Sequence, residues 1–310
     1  MSKILTVFGA TGNQGGSVVH HVLSHPELSK TYKVRAITRD PSKPKAQALK
    51  ARGCEVVAAD MNDAESLKKA IAGSGVVFGV TNYWEAMDMQ LEIRQGKAIA
   101  DASKAAGVER LIWSSLPNVT KETKGAITAV EHFDSKAQVE QYIRDIQQPA
   151  TFFMPAMFMS VGLSNFRKLP DDKYYFTTPF NRDTKVPLYN PGEDTGTFVA
   201  AILLLGDETL NKRVLGSAPY ITPEQMVKDF NDATGLSAEF MQISWDQFKA
   251  ALPPAAAEEL TGNFKLVVDF DYYVGEPADG VEKSIDLVKR AGLKPPMTWG
   301  EYVKKNWKTD

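Results

Sequence analysis

Residues 4–8 form a short, continuous apolar run that stops at a cluster of glycines, the pattern of a strand covered on both faces in a parallel sheet. The signal returns at residues 34–38, 55–59, 75–80, 110–114 and 151–154, with intervals long enough for crossover helices. This alternation predicts an α/β fold, a doubly wound parallel sheet. The intervals carry helical spacing of their own. Ile93, Gly96, Ala100, Ser103 and Gly107 recur at steps of three and four, and small side chains at such places let a helix lie close to a sheet.

Beyond residue 155 the alternation weakens, and residues 170–196 are rich in Pro, Asp, Asn and Thr, as loops are. The expected organisation is a dinucleotide-binding domain over residues 1–155 and a smaller C-terminal α/β subdomain over 156–310. The run at 213–217 is a candidate strand returning to the large sheet. The longest apolar stretches, 152–163 and 198–205, fall short of the roughly 20 residues that cross a bilayer, so no membrane span is expected.

Charge and cysteine content narrow the partners. Lys and Arg number 36 against 38 Asp and Glu, a net charge of −2, which leaves no electrostatic footprint for nucleic acid or an anionic membrane. Cys54 is the single cysteine, so neither an intrachain disulfide nor a thiolate metal cluster is available. That usage fits the cytoplasm, or the nucleus. His21 and His25 stand one helical turn apart, yet nothing beside them completes a ligand set, and no metal is expected.

The first apolar run leads into Gly9-Ala10-Thr11-Gly12-Asn13-Gln14-Gly15-Gly16. Gly9 suits a tight turn, Gly12 lets backbone N–H groups approach a diphosphate, and Gly15 lets the following helix pack near the strand. Spacing alone does not separate this from an ordinary glycine turn. Its place, between a first strand and a helix bearing Val18, Val22 and Leu23, points to dinucleotide binding.

The second run ends in Thr38-Arg39-Asp40-Pro41-Ser42-Lys43. Arg39 and Lys43 suit the 2′-phosphate of NADP, whereas Asp40 turned inward would suit the ribose hydroxyl of NAD; we expect NADP. Asp60 and Met61 follow the third run, where an adenine ring is usually met, and either can instead belong to the next helix cap. Thr81, Asn82, Tyr83 and Trp84 follow the fourth, at the edge where open α/β sheets bind ligands. Tyr83, Trp84, Met157, Phe158 and Met159 are candidates for an apolar pocket beside a nicotinamide, or for plain core.

Hydride chemistry in short-chain dehydrogenases uses a serine at the fifth strand and a tyrosine four residues before a lysine. Here Ser114 and Ser115 end the fifth run and Lys136 is present, but His132 stands where the tyrosine belongs. Lys136 falls within the apolar stripe of Phe133, Val139, Ile143 and Ile146, with His132 one turn earlier. A lysine so placed needs a partner: a bound cofactor, a salt bridge to Glu140, or solvent reached by snorkelling. Lys136 and His132 are the candidate catalytic residues, His132 as a proton donor.

Taken together, GATGNQGGSV at 9–18, TRDPSK at 38–43, VTNYWE at 80–85, QGK at 95–97, HFDSKAQVE at 132–140 and PAMF at 155–158 resemble the NmrA-like family of atypical short-chain dehydrogenases. The resemblance covers most of the chain. It implies a Rossmann fold and cofactor contacts at Gly9 to Gln14, Arg39 to Lys43, Asp60, Met61, Thr81 to Tyr83, Lys136 and residues around Met157 to Ser160. Relatives often carry a polar Glu and Asn in that last segment, where this chain has Met159 and Ser160. The family also implies a redox- or cofactor-sensing regulator that acts through a protein partner. Its likeness to reductases that rely on the lysine alone implies the alternative, an NADPH-dependent reductase of a small carbonyl, enone or imine compound.

Overall fold

The computed structural model describes residues 2–308. Six strands follow one another through the first half: β1 (Lys3–Val7), β2 (Tyr32–Thr38), β3 (Glu55–Ala58), β4 (Ser74–Gly79), β5 (Arg110–Ser114) and β6 (Ala150–Pro155). The second half adds β7 (Met157–Phe158), β8 (Phe166–Lys168), β9 (Tyr174–Thr178), β10 (Leu188–Tyr189), β11 (Arg213–Gly216) and β12 (Ala238–Gln242).

The main sheet has seven strands in the order β11-β6-β5-β4-β1-β2-β3, and every neighbouring pair is parallel. Apolar residues dominate β1, β4, β5 and β6 because helices cover both faces: Leu5, Val77, Phe78, Ile112, Trp113 and Phe153 are fully buried. Chain order reverses between β1 and β4, and the loops after those two strands open the crevice where doubly wound sheets take ligands.

The run expected at 213–217 returns to the large sheet as β11. β11 lies beside β6, and the helix Asp194–Leu205 packs along the helix Asn13–Ser24. Gly196 makes that approach possible, since a Cβ there would overlap the His21 imidazole and the Ser17 carbonyl. The remaining elements include the β12-β9-β8 sheet, the β10-β7 pair and the helices Pro223–Thr234, Ala257–Asp269 and Trp299–Asn306. Among the described residues, no helix is long and apolar enough to cross a membrane.

Gly96 shows how closely the layers meet. A Cβ on it would lie 2.6 Å from Val139 and 2.9 Å from the Trp113 ring, so this glycine sets the distance between the helices Met89–Ala105 and Glu131–Asp145. Gly107, expected in the same stripe, lies beyond the helix end instead. With φ +67° it turns the chain, and the Val108 N–H bonds back to the Ser103 carbonyl at 3.0 Å.

Candidate functional site

The loop after β1 is shaped by backbone contacts that exclude side chains. Gly9 has φ +61°, and a Cβ there would stand 2.9 Å from Val80. A Cβ at Gly15 would overlap the carbonyl oxygens of Phe8 and Gly9. Three later helices, Ala64–Ile71, Met89–Ala105 and Val119–Glu122, have their first N–H groups capped by Asp63, Asp88 and Asn118. The helix starting at Asn13 has Gly12 at its cap, no side-chain acceptor and no acid in its first turn. Those unfilled donors and the positive helix end suit an anion. Ala10 is buried beneath the loop, Thr11 and Gln14 are half-buried, and Asn13 is exposed; Gln14 Oε1 accepts the Ser114 hydroxyl at 2.8 Å.

Cations gather on the β2 side of the loop. Arg39 is exposed and paired with Glu85 from the turn after β4, a bridge from one side of the crevice to the other. Lys43 is exposed at the start of the helix Pro44–Ala51. Lys45, which sequence reasoning passed over, reaches the Thr11 carbonyl at 3.5 Å and brings a third cation to the glycine loop. Asp40 faces its own loop: its carboxylate accepts the Ser42 N–H at 2.9 Å and hydroxyl at 2.6 Å. Those bonds hold its carboxyl below the usual range.

Asp60 lies past the end of β3 and accepts both the N–H and the amide of Asn62. Asp63, three residues on, caps the following helix. Met61 is partly buried and packs against the core cluster that includes Phe8, Ile37 and Ala59. On the far side, Met157 pairs with Leu188 across β7 and β10, and the Phe158 ring stands 5.5 Å from Tyr189. Met159, a candidate pocket residue, is wholly buried and belongs to the core.

Lys136 sits at the centre. It is 7% exposed, and its ammonium donates to Thr81 Oγ1 at 3.2 Å and to the carboxylate of Glu92, itself 2% exposed. The salt-bridge partner considered for Lys136, Glu140, is taken by Arg144, Arg213 and Ser115. Thr81 and Ser135 also donate to Glu92. Burial alone pushes the Glu92 carboxyl up, but the Lys136 charge and these hydrogen bonds outweigh it and hold the group below its usual range. Bonded to Thr81 and Glu92, the Lys136 ammonium has one N–H left to donate.

His132 is held by a residue distant in sequence. Its Nδ1 pairs with Glu259, whose carboxylate also accepts the backbone N–H groups of Glu131 at 3.0 Å and His132 at 2.9 Å. Val130, at the helix cap position, has no side-chain acceptor, and Glu259 supplies one from the helix Ala257–Asp269. Tyr83 turns its hydroxyl into this cluster, 3.0 Å from Glu131 and 3.4 Å from Glu259. Burial and the nearby carboxylates push that phenol well above its ordinary range. Trp84 covers the imidazole at a centroid distance of 5.0 Å, while Asn82 is exposed beside it.

A glycine loop opening an uncapped helix at the switch point, with a buried lysine opposite, defines the Rossmann type found in atypical short-chain dehydrogenases. The NmrA-like family profile matches residues 1–303. The chain belongs to that family. An NmrA-like oxidoreductase, malD of Malbranchea aurantiaca, is 35% identical over 98% of this chain and 97% of its own. Another, cpsB of Aspergillus campestris, is 31% identical over 88% and 86%. Among solved structures, the negative transcriptional regulator NmrA in complex with NADP superposes with TM-score 0.80 at 20% identity, over 98% of this chain and 95% of its own. Citrobacter sp. triphenylmethane reductase complexed with NADP(H) gives 0.74 at 22%, over 98% and 100%. At those identities the likeness concerns the fold.

Proposed function

We propose that the protein is an NADPH-dependent reductase of a small unsaturated compound, carbonyl, enone or imine. The observation that carries this reading is the Lys136–Glu92–Thr81 network, a buried ammonium held at the carboxyl edge of β4. Burying such a pair is a poor way to gain stability, and a ligand that uses the remaining donor accounts for its presence. The oxidoreductase names of the relatives and the NADP complexes of the structural neighbours support it.

The glycine loop fits a dinucleotide, because its backbone turns too tightly against Val80 and the Phe8 and Gly9 carbonyls to admit a Cβ at Gly9 or Gly15, and the helix start lacks a cap. In this reading the N–H groups of Asn13 and Gln14 take the diphosphate, and Arg39, Lys43 and Lys45 take the 2′-phosphate. Asp60 and Met61 stand beside the adenine; Thr81, Asn82, Tyr83, Met157 and Phe158 stand beside the nicotinamide. Lys136 donates to ribose or carboxamide oxygens and orients the ring. When bound, NADPH supplies the hydride. Calorimetry and NADPH oxidation over a panel of carbonyl, enone and imine compounds test this; consumption with a panel member supports it.

A second reading, a cofactor sensor acting on a protein partner, is favoured by one feature. Trp84 and Met87 are 43% and 41% exposed on the loop that carries Glu85, so cofactor binding at Arg39 would disturb an apolar surface. NADP binding without consumption over the panel would favour the sensor.

A further inference from the structure

Building on the reductase reading, we infer that His132, held in place by Glu259, is the proton donor, and that the substrate is a neutral carbonyl or enone compound whose oxygen takes that proton. Position is the first ground. Because β5 and β6 are parallel, the helix Glu131–Asp145 between them starts at the carboxyl edge of the sheet and runs back along it. Lys136 meets Thr81, just past the end of β4. His132 stands one turn nearer the helix start, about 6 Å further out over that edge. Its ring lies between Tyr83 and Trp84, at centroid distances of 5.9 and 5.0 Å. A ligand resting on Lys136 has this imidazole as its outer neighbour.

The two ring nitrogens are placed differently. Nδ1 faces Glu259, whose carboxylate also accepts the backbone N–H groups of Glu131 and His132, so the helix start fixes the carboxylate and the carboxylate fixes the ring. Nε2 has no hydrogen-bond partner among the described residues. Yet it is not one of the sealed unpaired atoms, which belong to Tyr189, Thr261, Asn263 and Trp307, so it opens to solvent on a side chain that is otherwise only 13% exposed. With the carboxylate holding Nδ1–H, the exchangeable proton is the one on Nε2.

Neighbouring hydroxyls are already committed. Ser114 donates to Gln14, Ser115 to Glu140, and Tyr83 to Glu131 and Glu259. Burial and those two carboxylates push the Tyr83 phenol well above its ordinary range, which withdraws it as an acid. The titratable groups around the imidazole are thus Glu131 on its own helix, Glu259 from the helix Ala257–Asp269 and Tyr83 from the turn after β4; Lys136 is bonded to Glu92.

The chemistry follows from that free nitrogen. As a hydride from NADPH forms the C–H bond at the carbonyl carbon, the C=O π pair moves onto oxygen and the Nε2 proton forms the O–H bond. The ring is left neutral with its proton on Nδ1, and water restores the other. In an enone the same proton meets the enolate oxygen. An imine nitrogen is basic enough to take a proton from water beforehand, whereas a carbonyl oxygen needs a donor while its charge develops.

The test uses the whole protein. Without substrate, nitrogen NMR of the histidine rings should show neutral His132 with its proton on Nδ1, and Glu259→Gln should move that proton toward Nε2. With NADPH and each neutral carbonyl or enone consumed, α-tetralone and 2-cyclohexenone among those tried, kcat should fall with rising pH in step with the His132 titration seen by NMR. His132→Gln should lower kcat about a hundredfold and erase that limb, at unchanged NADP affinity. Glu259 is a positioning residue, so Glu259→Gln should lower kcat about tenfold and displace the limb with KM unchanged. Should His132→Gln not fold, the match between the two wild-type pH curves decides. A wild-type ring protonated on Nε2 alone, a flat pH profile, a retained rate in His132→Gln, or reduction confined to the cation N-methyl-3,4-dihydroisoquinolinium would overturn this inference and leave the reductase reading standing. No NADPH consumption with these probes or the wider panel would remove both.

Discussion

Glu92 and Asp194 are equally hidden, each 2% exposed, yet the protein drives them in opposite directions. Glu92 meets the Lys136 ammonium and stays ionised below its usual range. Asp194 has backbone N–H donors from Asn190 at 2.8 Å and Met297 at 3.0 Å but, among the described residues, no paired cation, and burial pushes it up to about 6. Two N–H dipoles do not replace a full charge in a low-dielectric setting. One carboxylate anchors a lysine in the crevice; the other pins the segment before the C-terminal helix to the start of the helix Asp194–Leu205.

The contrast breaks most severely at Glu92. Glu92→Ala leaves a buried ammonium alone and should cost about 3–5 kcal/mol in chemical denaturation, whereas Glu92→Leu combined with Lys136→Met should recover most of that loss. Because Glu92 is depressed in the folded state, its stabilisation is present above the ordinary carboxylate range and is lost as pH falls through the folded value.

Asp194 has the reverse sign. Its folded value is raised above 3.8, so its contribution is complete below that and lost as pH rises through about 6. The loss is on the order of 3 kcal/mol across that window. Asp194→Asn should flatten the slope in urea midpoints measured at pH 5 and pH 8. An unchanged slope would detach the effect from this carboxylate.

A smaller effect concerns the lysine itself. The Lys136→Met, Glu92→Leu protein, free of any orphan charge, should bind NADP about 1.5–3 kcal/mol more weakly, the range of hydrogen bonds to a charged donor. Unchanged calorimetric affinity would make the pair a structural feature alone. Smallest of all, Glu85→Ala removes an exposed ion pair and should alter stability by about 0.2–1 kcal/mol at most, while freeing Arg39 and tightening NADP.

Strands such as β1 and β5 were legible because double-sided burial writes unbroken apolar runs, and Gly9 and Gly15 because backbone contact tolerates no other residue. Lys136 was legible as a cation inside an apolar stripe. Its partner was not, although a signal existed: Glu92 stands four, seven and eleven positions before Gly96, Ile99 and Ser103, on the buried face of its helix. Glu259 carries a similar mark beside buried Asn263 and Leu266. What periodicity leaves unstated is which two buried faces meet, since the Glu92–Lys136 and Glu259–His132 pairs close over long loops that only the tertiary fold defines.

The central claim is a glycine cradle for a diphosphate with cations placed for an extra phosphate. Calorimetric titration of the purified protein with NADP⁺ and NAD⁺ under identical salt tests it most directly. The account predicts saturable binding of both, with NADP⁺ at least tenfold tighter and that margin lost in Arg39→Ala. Equal affinities, or no heat from either dinucleotide, would contradict it.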